Sequence, residues 1–163
     1  MTEVAVRREL RPADSAEIVA LHQRVYGPEY GLDARFSASV ARGIEQAIAR
    51  GWPDTAGAVW LIEGDGQLSG CIGLTEERAG AGRIRWFVLS PGLRGRGIGR
   101  SLLGDALATA RAAGMRTLEL ETFSRLTAAA HLYRDAGFRV ESSHQTEQWG
   151  PAIVLQRYAL ELR

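Results

Sequence analysis

The 163-residue chain has no lysine and no asparagine, one cysteine and three histidines. All twenty of its basic residues are therefore arginine. Without lysine, a G-x-x-x-x-G-K-S/T phosphate loop cannot exist. The chain also has no lysine side-chain amine. A single cysteine, Cys71, excludes an internal disulfide and fits a reducing cytoplasm. It lies in the apolar run Leu68 to Leu74, where a small core residue is expected. With so few histidines and cysteines no metal site is expected. His22, His131 and His144 are expected to be surface or helix-face residues rather than bases. No stretch approaches the ~20 apolar residues of a membrane span. The N-terminus alternates Val4 and Val6 with charges, unlike a signal peptide. A net charge of +1 gives no general attraction to nucleic acid or membranes. The hydrophobic fraction of 45% and charged fraction of 24% are those of a soluble globular protein. A single cytoplasmic domain, 1–163, is expected.

What is present is concentrated in Val88 to Leu103. The apolar run Trp86 to Leu89 has the character of a buried strand. Pro91 and Gly92 end it. Arg94, Gly95, Arg96, Gly97, Ile98, Gly99 and Arg100 follow, and a helical pattern begins at once. Glycine lets backbone wrap closely around a ligand. The first N–H groups of a helix are unpaired and sit at the positive end of its dipole. Strand, glycine-arginine loop and helix N-terminus together form a pyrophosphate cradle. The G-x-G-x-x-G dinucleotide fingerprint is not matched, because the third glycine falls one place early.

The pattern that is matched, Arg-x-x-Gly-x-Gly at Arg94, Gly97 and Gly99, resembles the coenzyme A loop of the GNAT N-acetyltransferases. A second stretch, Leu132-Tyr133-Arg134-Asp135-Ala136-Gly137-Phe138, resembles the Leu-Tyr-x-x-x-Gly-Phe signature of the same superfamily. The resemblance implies a mixed α/β (α+β) fold. Its sheet has six to seven mostly antiparallel strands, flanked by four helices, with splayed central strands. It implies acetyl-CoA as cosubstrate, bound by the Arg94 to Arg100 loop and by the backbone of Phe87, Val88 and Leu89. An N–H of that strand would also stabilise a developing oxyanion. Tyr133 takes the family's role of general acid to the leaving thiolate. Many members carry a coenzyme-contacting asparagine where this chain has Leu126, so that contact is expected to be lost or to be made by a neighbour such as Ser124 or Arg125. Family members often dimerise, which makes a homodimer one expectation.

The order of elements agrees. Val4 to Leu10 is strand-like, and Asp14 is placed to cap a helix running to about Val25. Tyr26 to Gly31 looks like a glycine-rich break. Helical spacing resumes from Phe36 to Arg50. Ala58 to Glu63 and Leu68 to Thr75 form a hairpin. Gly80 to Gly82 is a loop and Arg83 to Leu89 the central strand. Helices are expected over 98–113 and 126–136, and strands over 117–122, 138–148 and 153–162. His22 to Phe36 and the tail around Gln148-Trp149-Gly150 resemble acetyltransferase domains fused behind MarR-type winged-helix regulators. No winged helix precedes them here, so a stand-alone enzyme is expected.

An attacking amine must be neutral, which calls for a base. Glu121 is the candidate. Glu119 lies on the same face at period two, and Glu29 is an alternative in the loop expected to cover the acceptor. The acceptor pocket is expected to draw on Tyr26, Glu29, Tyr30 and Trp86, with Phe36 and Trp149 nearby. Arg35 is expected to be available for a carboxylate. Near-neutral charge argues against a polycationic acceptor and favours a small amine or amino-acid-like compound. A protein N-terminus or lysine is the rival acceptor, and a catalytically weak acyl-CoA sensor the rival role.

Overall fold

The computed structural model describes residues 4–55 and 57–162. Seven strands form one sheet: β1 Val4–Arg7, β2 Gly57–Gly64, β3 Gln67–Arg78, β4 Ala81–Leu89, β5 Thr117–Phe123, β6 Arg139–Thr146 and β7 Ile153–Glu161. Four helices flank it: α1 Asp14–Tyr30, α2 Ala34–Ala49, α3 Ile98–Ala112 and α4 Thr127–Asp135. The spatial order is β1-β2-β3-β4-β5-β7-β6. Every pairing is antiparallel except β4 with β5. The expected element order and mixed, mostly antiparallel sheet are those observed.

Both faces of the sheet are covered. On one, Leu102, Leu103, Ala106 and Ala110 of α3 and Tyr133 of α4 pack on Trp60, Ile72, Leu74, Leu118 and Tyr158. On the other, Ile18, Leu21 and Val25 of α1 and Phe36, Val40 and Ile44 of α2 pack on Val59, Leu61, Cys71, Val88 and Phe123. A strand buried on both faces needs no polar alternation. That is why β2 contains the unbroken run Val59-Trp60-Leu61-Ile62.

The feature that positions the site is a fault in β4. Cys71 of β3 pairs with Val88, but Gly73 pairs with Arg85, so β4 carries one extra residue. Trp86 sits in this bulge at φ +50°, a conformation disfavoured for a bulky residue. Bulges bend a strand and switch its faces. Ile84 accordingly packs on the α3 side, whereas Trp86 and Val88 pack on the α1–α2 side. The Trp86 ring lies 4.8 Å from that of Trp52. It also covers Gly73, where an added Cβ would come within 2.6 Å of the ring. Downstream of the bulge β4 departs from β5: their pairing covers only Ala81 with Thr117, Gly82 with Leu118 and Arg83 with Glu119. The central strands are splayed as expected.

Two expectations about α1 need correction. It does not end at Val25 but continues through Pro28 to Tyr30. Pro28 lies in the last turn, so the hydrogen bond it cannot donate and the crowding of the Arg24 carbonyl disturb only the helix end. Gly31, at φ +69°, then closes the helix in the left-handed conformation with its N–H on the Gly27 carbonyl. Asp14 is not the cap. It is the first helical residue, buried, and it accepts from Arg7 Nη1 at 2.6 Å, Arg7 Nη2 at 2.9 Å and the Arg11 N–H at 2.6 Å. Burial opposes its charge, but these donors outweigh burial and hold its carboxyl below the usual range.

Candidate active site

The splay opens a cleft of about 750 Å³ between β4 and β5, walled by α1 and by the starts of α3 and α4. One end of it is the loop before α3. Gly95 and Gly97 have φ of +74° and +76°, which favours glycine. Cβ atoms added at either would meet nothing within 4 Å, so backbone conformation rather than crowding selects glycine there. Gly97 is the N-cap of α3. The first hydrogen bond into that helix runs from Ser101 N to Gly97 O at 3.1 Å. The N–H groups of Ile98, Gly99 and Arg100 precede it and have no partner within the helix. Arg94, Gly95, Gly97, Ile98, Gly99 and Arg100 all line the cleft. Arg100 also pairs with Asp135 across the surface at 2.8 Å. Arg96 is exposed and does not line the cleft.

Of the strand residues, Phe87 and Leu89 line the cleft. The Val88 side chain is 1% exposed in the α1–α2 core, so only its backbone could serve a ligand. Side chains already occupy the carbonyls of the bulge. Cys71 Sγ lies 2.8 Å from the Trp86 carbonyl, and Tyr26 Oη donates to the Phe87 carbonyl at 3.2 Å. Phe87 thus has one lone pair left for a ligand. Burial pushes the Cys71 thiol upward, which keeps it protonated and matches its reading as a core residue.

Tyr133 projects from α4 into the same cleft. Its ring is buried beside Phe87, Phe138 and Tyr158 at centroid distances of 6.3, 6.0 and 5.6 Å. Burial, and then the neighbouring Tyr26 and Tyr158, raise its hydroxyl above the usual tyrosine range. It is a protonated donor at neutral pH.

The end of the cleft away from the α3 loop is an aromatic wall. Because α1 continues, His22, Tyr26 and Tyr30 stand four residues apart on one helical face, and all three line the cleft. Phe123 meets Tyr26 and Tyr30 edge-on at 5.7 and 5.2 Å, and Trp149 meets Phe36 at 5.1 Å. Glu29 is exposed at the rim. Trp86 touches the cleft, but its ring is largely committed to Trp52. Glu121 lines the cleft, whereas Glu119 borders a separate groove and lies 3.9 Å from Arg157. The strand therefore separates the two carboxylates that period two had left equivalent. Leu126 is the N-cap of α4 and makes no capping bond. Of its two neighbours, Arg125 rather than Ser124 faces the cleft, 5.1 Å above the Tyr30 ring.

Three further findings concern ionisable groups. Arg35 lies outside the cleft, where its guanidinium is held by Asp33, the N-cap of α2, at 2.6 Å. Arg85 lines the cleft instead. His22 is not a surface residue but 5% exposed, with Nδ1 2.8 Å from the Ile18 carbonyl. A carbonyl only accepts, so Nδ1 carries the proton and Nε2 is bare. Burial depresses this imidazole to about 4 despite the bond to Ile18. The unfolded ring, near the usual 6.5, takes up a proton first as pH falls. His22 therefore contributes stability above about pH 6.5 that is progressively lost towards pH 4. In urea titrations at pH 7.5 and 4.5, the His22→Gln variant is expected to lose less stability between the two than wild type, by a few kcal/mol. An identical loss in both proteins would show that His22 is not the buried neutral group described.

The fold recurs in solved structures. An acetyltransferase of the GNAT family from Staphylococcus aureus superimposes with a TM-score of 0.77 at 19% identity, covering 99% of this chain and 100% of that one. YncA from Salmonella typhimurium, solved with acetyl-CoA, gives 0.71 at 18% identity, covering 99% and 95%. The sequence model of the Acetyltransferase (GNAT) family matches residues 19–138, and the chain belongs to that family. Over 136 residues it is 29% identical to the uncharacterized N-acetyltransferase YjgM of Escherichia coli, covering 82% of this chain and 81% of that protein. Over 88 residues it is 35% identical to a mycothiol acetyltransferase of Beutenbergia cavernae, covering 53% of this chain but only 30% of that longer protein. Among the described residues no cluster of three or more potential metal ligands occurs, and no helix is long and apolar enough to cross a membrane.

Proposed function

We propose that this protein transfers an acetyl group from acetyl-CoA to the primary amine of a small molecule or amino-acid-like compound. One observation carries the reading: a single cleft joins the N–H fan of the Gly95 to Arg100 loop to the Tyr133 side chain and to Glu121. The residues fit the cosubstrate. The loop supplies unpaired N–H donors and Arg94 for a pyrophosphate. The splay leaves the β4 edge beyond Arg83 without a β5 partner, open to an extended, amide-bearing chain.

Acetyl-CoA would supply the thioester that makes the acetyl carbon electrophilic. This chain's residues would manage the protons. Glu121, exposed on the α1–α2 side of the splay, accepts a proton from the acceptor ammonium so that nitrogen can attack. A C–N bond forms and the C–S bond breaks. Tyr133 Oη gives its proton to the departing sulfur. Tyr26, tied to Phe87, separates the coenzyme side of the cleft from the acceptor side.

The test is release of free thiol from acetyl-CoA in the presence of a panel of primary amines. Amine-dependent release is the expected result. No release above the amine-free background with any member would contradict the proposal.

A further inference from the structure

Arg85 is poorly neutralised for a half-buried residue. Its side chain is 19% exposed. Its guanidinium lies 4.4 Å above the Trp86 ring and reaches to α2 at Gly43, where an added Cβ would come within 2.6 Å of Nη2. Glu77 is the carboxylate beside it, at 4.0 Å, and that group is shared. Arg50 holds Glu77 at 3.0 Å and Arg83 approaches it at 3.7 Å. Three guanidinium groups thus surround one carboxylate. Among the described residues no side-chain hydrogen bond satisfies Arg85. Burial and the Arg83 charge both work against its protonated form, but arginine does not give up its proton in proteins. A desolvated guanidinium lacking a close partner favours a bidentate anion.

Its position specifies which anion. Arg85 lines the cleft on the α1–α2 side of the sheet, across the splay from Glu121 and away from the α3 loop. The two are not ion-paired, although Glu121 is among the charges that bear on Arg85. A ligand lying between them meets a cation at one end and a carboxylate at the other. With Glu77 and Glu121 both near, a monoanion is favoured over a phosphate dianion.

We infer that Arg85 is the anchor for a carboxylate on the acceptor, so that the acceptor class is amino acids and related amino-carboxylates rather than simple amines. This rests on the acetyl-transfer reading above and extends it to one specificity-determining residue.

The test uses matched pairs: α- and ω-amino acids, each with the amine left by decarboxylation (phenylalanine with phenethylamine, β-alanine with ethylamine). Wild type is expected to favour the acid in at least one pair by tenfold or more in kcat/KM. R85Q should level that ratio chiefly by raising KM for the acid, about tenfold to a hundredfold, in line with loss of a charge-assisted pair. R85K, which keeps the charge without the planar fork, should fall between. Acetyl-CoA binding should be unchanged in both variants. If R85Q does not fold, the wild-type ratio and R85K decide. Amines acetylated without preference for the acid, or a preference that survives in R85Q or is lost only in R125Q, would overturn the inference and leave acetyl transfer intact. Acetyl-CoA binding without transfer to any panel member would overturn the transfer reading and this inference with it.

Discussion

Replacing Tyr133 with phenylalanine is expected to lower turnover by about a hundredfold or more while leaving acetyl-CoA binding within a factor of two or so. The magnitude is that of a positioned general acid. The substitution removes one oxygen and keeps the ring that packs on Phe87, Phe138 and Tyr158. Its effect should therefore appear in kcat and not in stability. Burial has already raised the hydroxyl, so it stays protonated across the physiological range and the enzyme should show no activity loss from its ionisation at pH 8 to 9. Steady-state kinetics beside a thermal unfolding midpoint separate the two effects. Unchanged kcat with an unchanged midpoint would remove Tyr133 from the chemistry and reduce it to a core aromatic.

Gly97→Val should cost coenzyme affinity at least tenfold. Gly97 holds φ +76° as the N-cap of α3, and a β-branched residue there is a backbone outlier. Leaving the left-handed region relieves strain of about 1–2 kcal/mol, but it re-aims the N–H groups that follow. An added Cβ would meet nothing within 4 Å, so the first atom of the new side chain brings no packing clash. Gly92 is the internal control. It too has nothing within 4 Å of an added Cβ, but its φ is not in the left-handed region. Gly92→Ala should bind coenzyme as wild type does. Equal loss in both variants would mean that the loop tolerates no side chain anywhere and that its conformation is not the determinant.

Local chemistry made much of this protein legible from its residues. The Arg94 to Gly99 spacing marked a loop whose glycines do hold positive φ at 95 and 97. Gly137 marked the end of α4 and has φ +102°. What stayed hidden depends on packing between distant segments. Gly27-Pro28 has the composition of a break, yet α1 runs through it and carries Tyr26 and Tyr30 into the cleft wall. Asp14 has the residue type and place of a cap, but Arg7 and Arg11 reached it from the preceding segment. His22 is polar and lies on a helix; only the docking of α1 against α2 buries it, and no local pattern shows that. The bulge at Trp86 is the largest omission. A tryptophan at positive φ has no signature of its own, and its one trace is the glycine opposite, Gly73. Because nothing local marks the bulge, nothing local marks Arg85 as a cleft residue beside Trp86. A charged residue inside the run Ile84 to Leu89 was the available signal.

The Gly95 to Arg100 loop and the β4 splay are proposed to bind coenzyme A together. Isothermal titration of the wild-type protein with acetyl-CoA, CoA and ATP tests it most directly. Micromolar binding shared by acetyl-CoA and CoA, with ATP at least a hundredfold weaker, is the expected result. It would show that recognition depends on pantetheine in the splay as well as on phosphate at the helix. Absence of binding by all three would rule out a coenzyme site and leave the loop as a helix cap; equal binding of ATP would rule out a role for the splay.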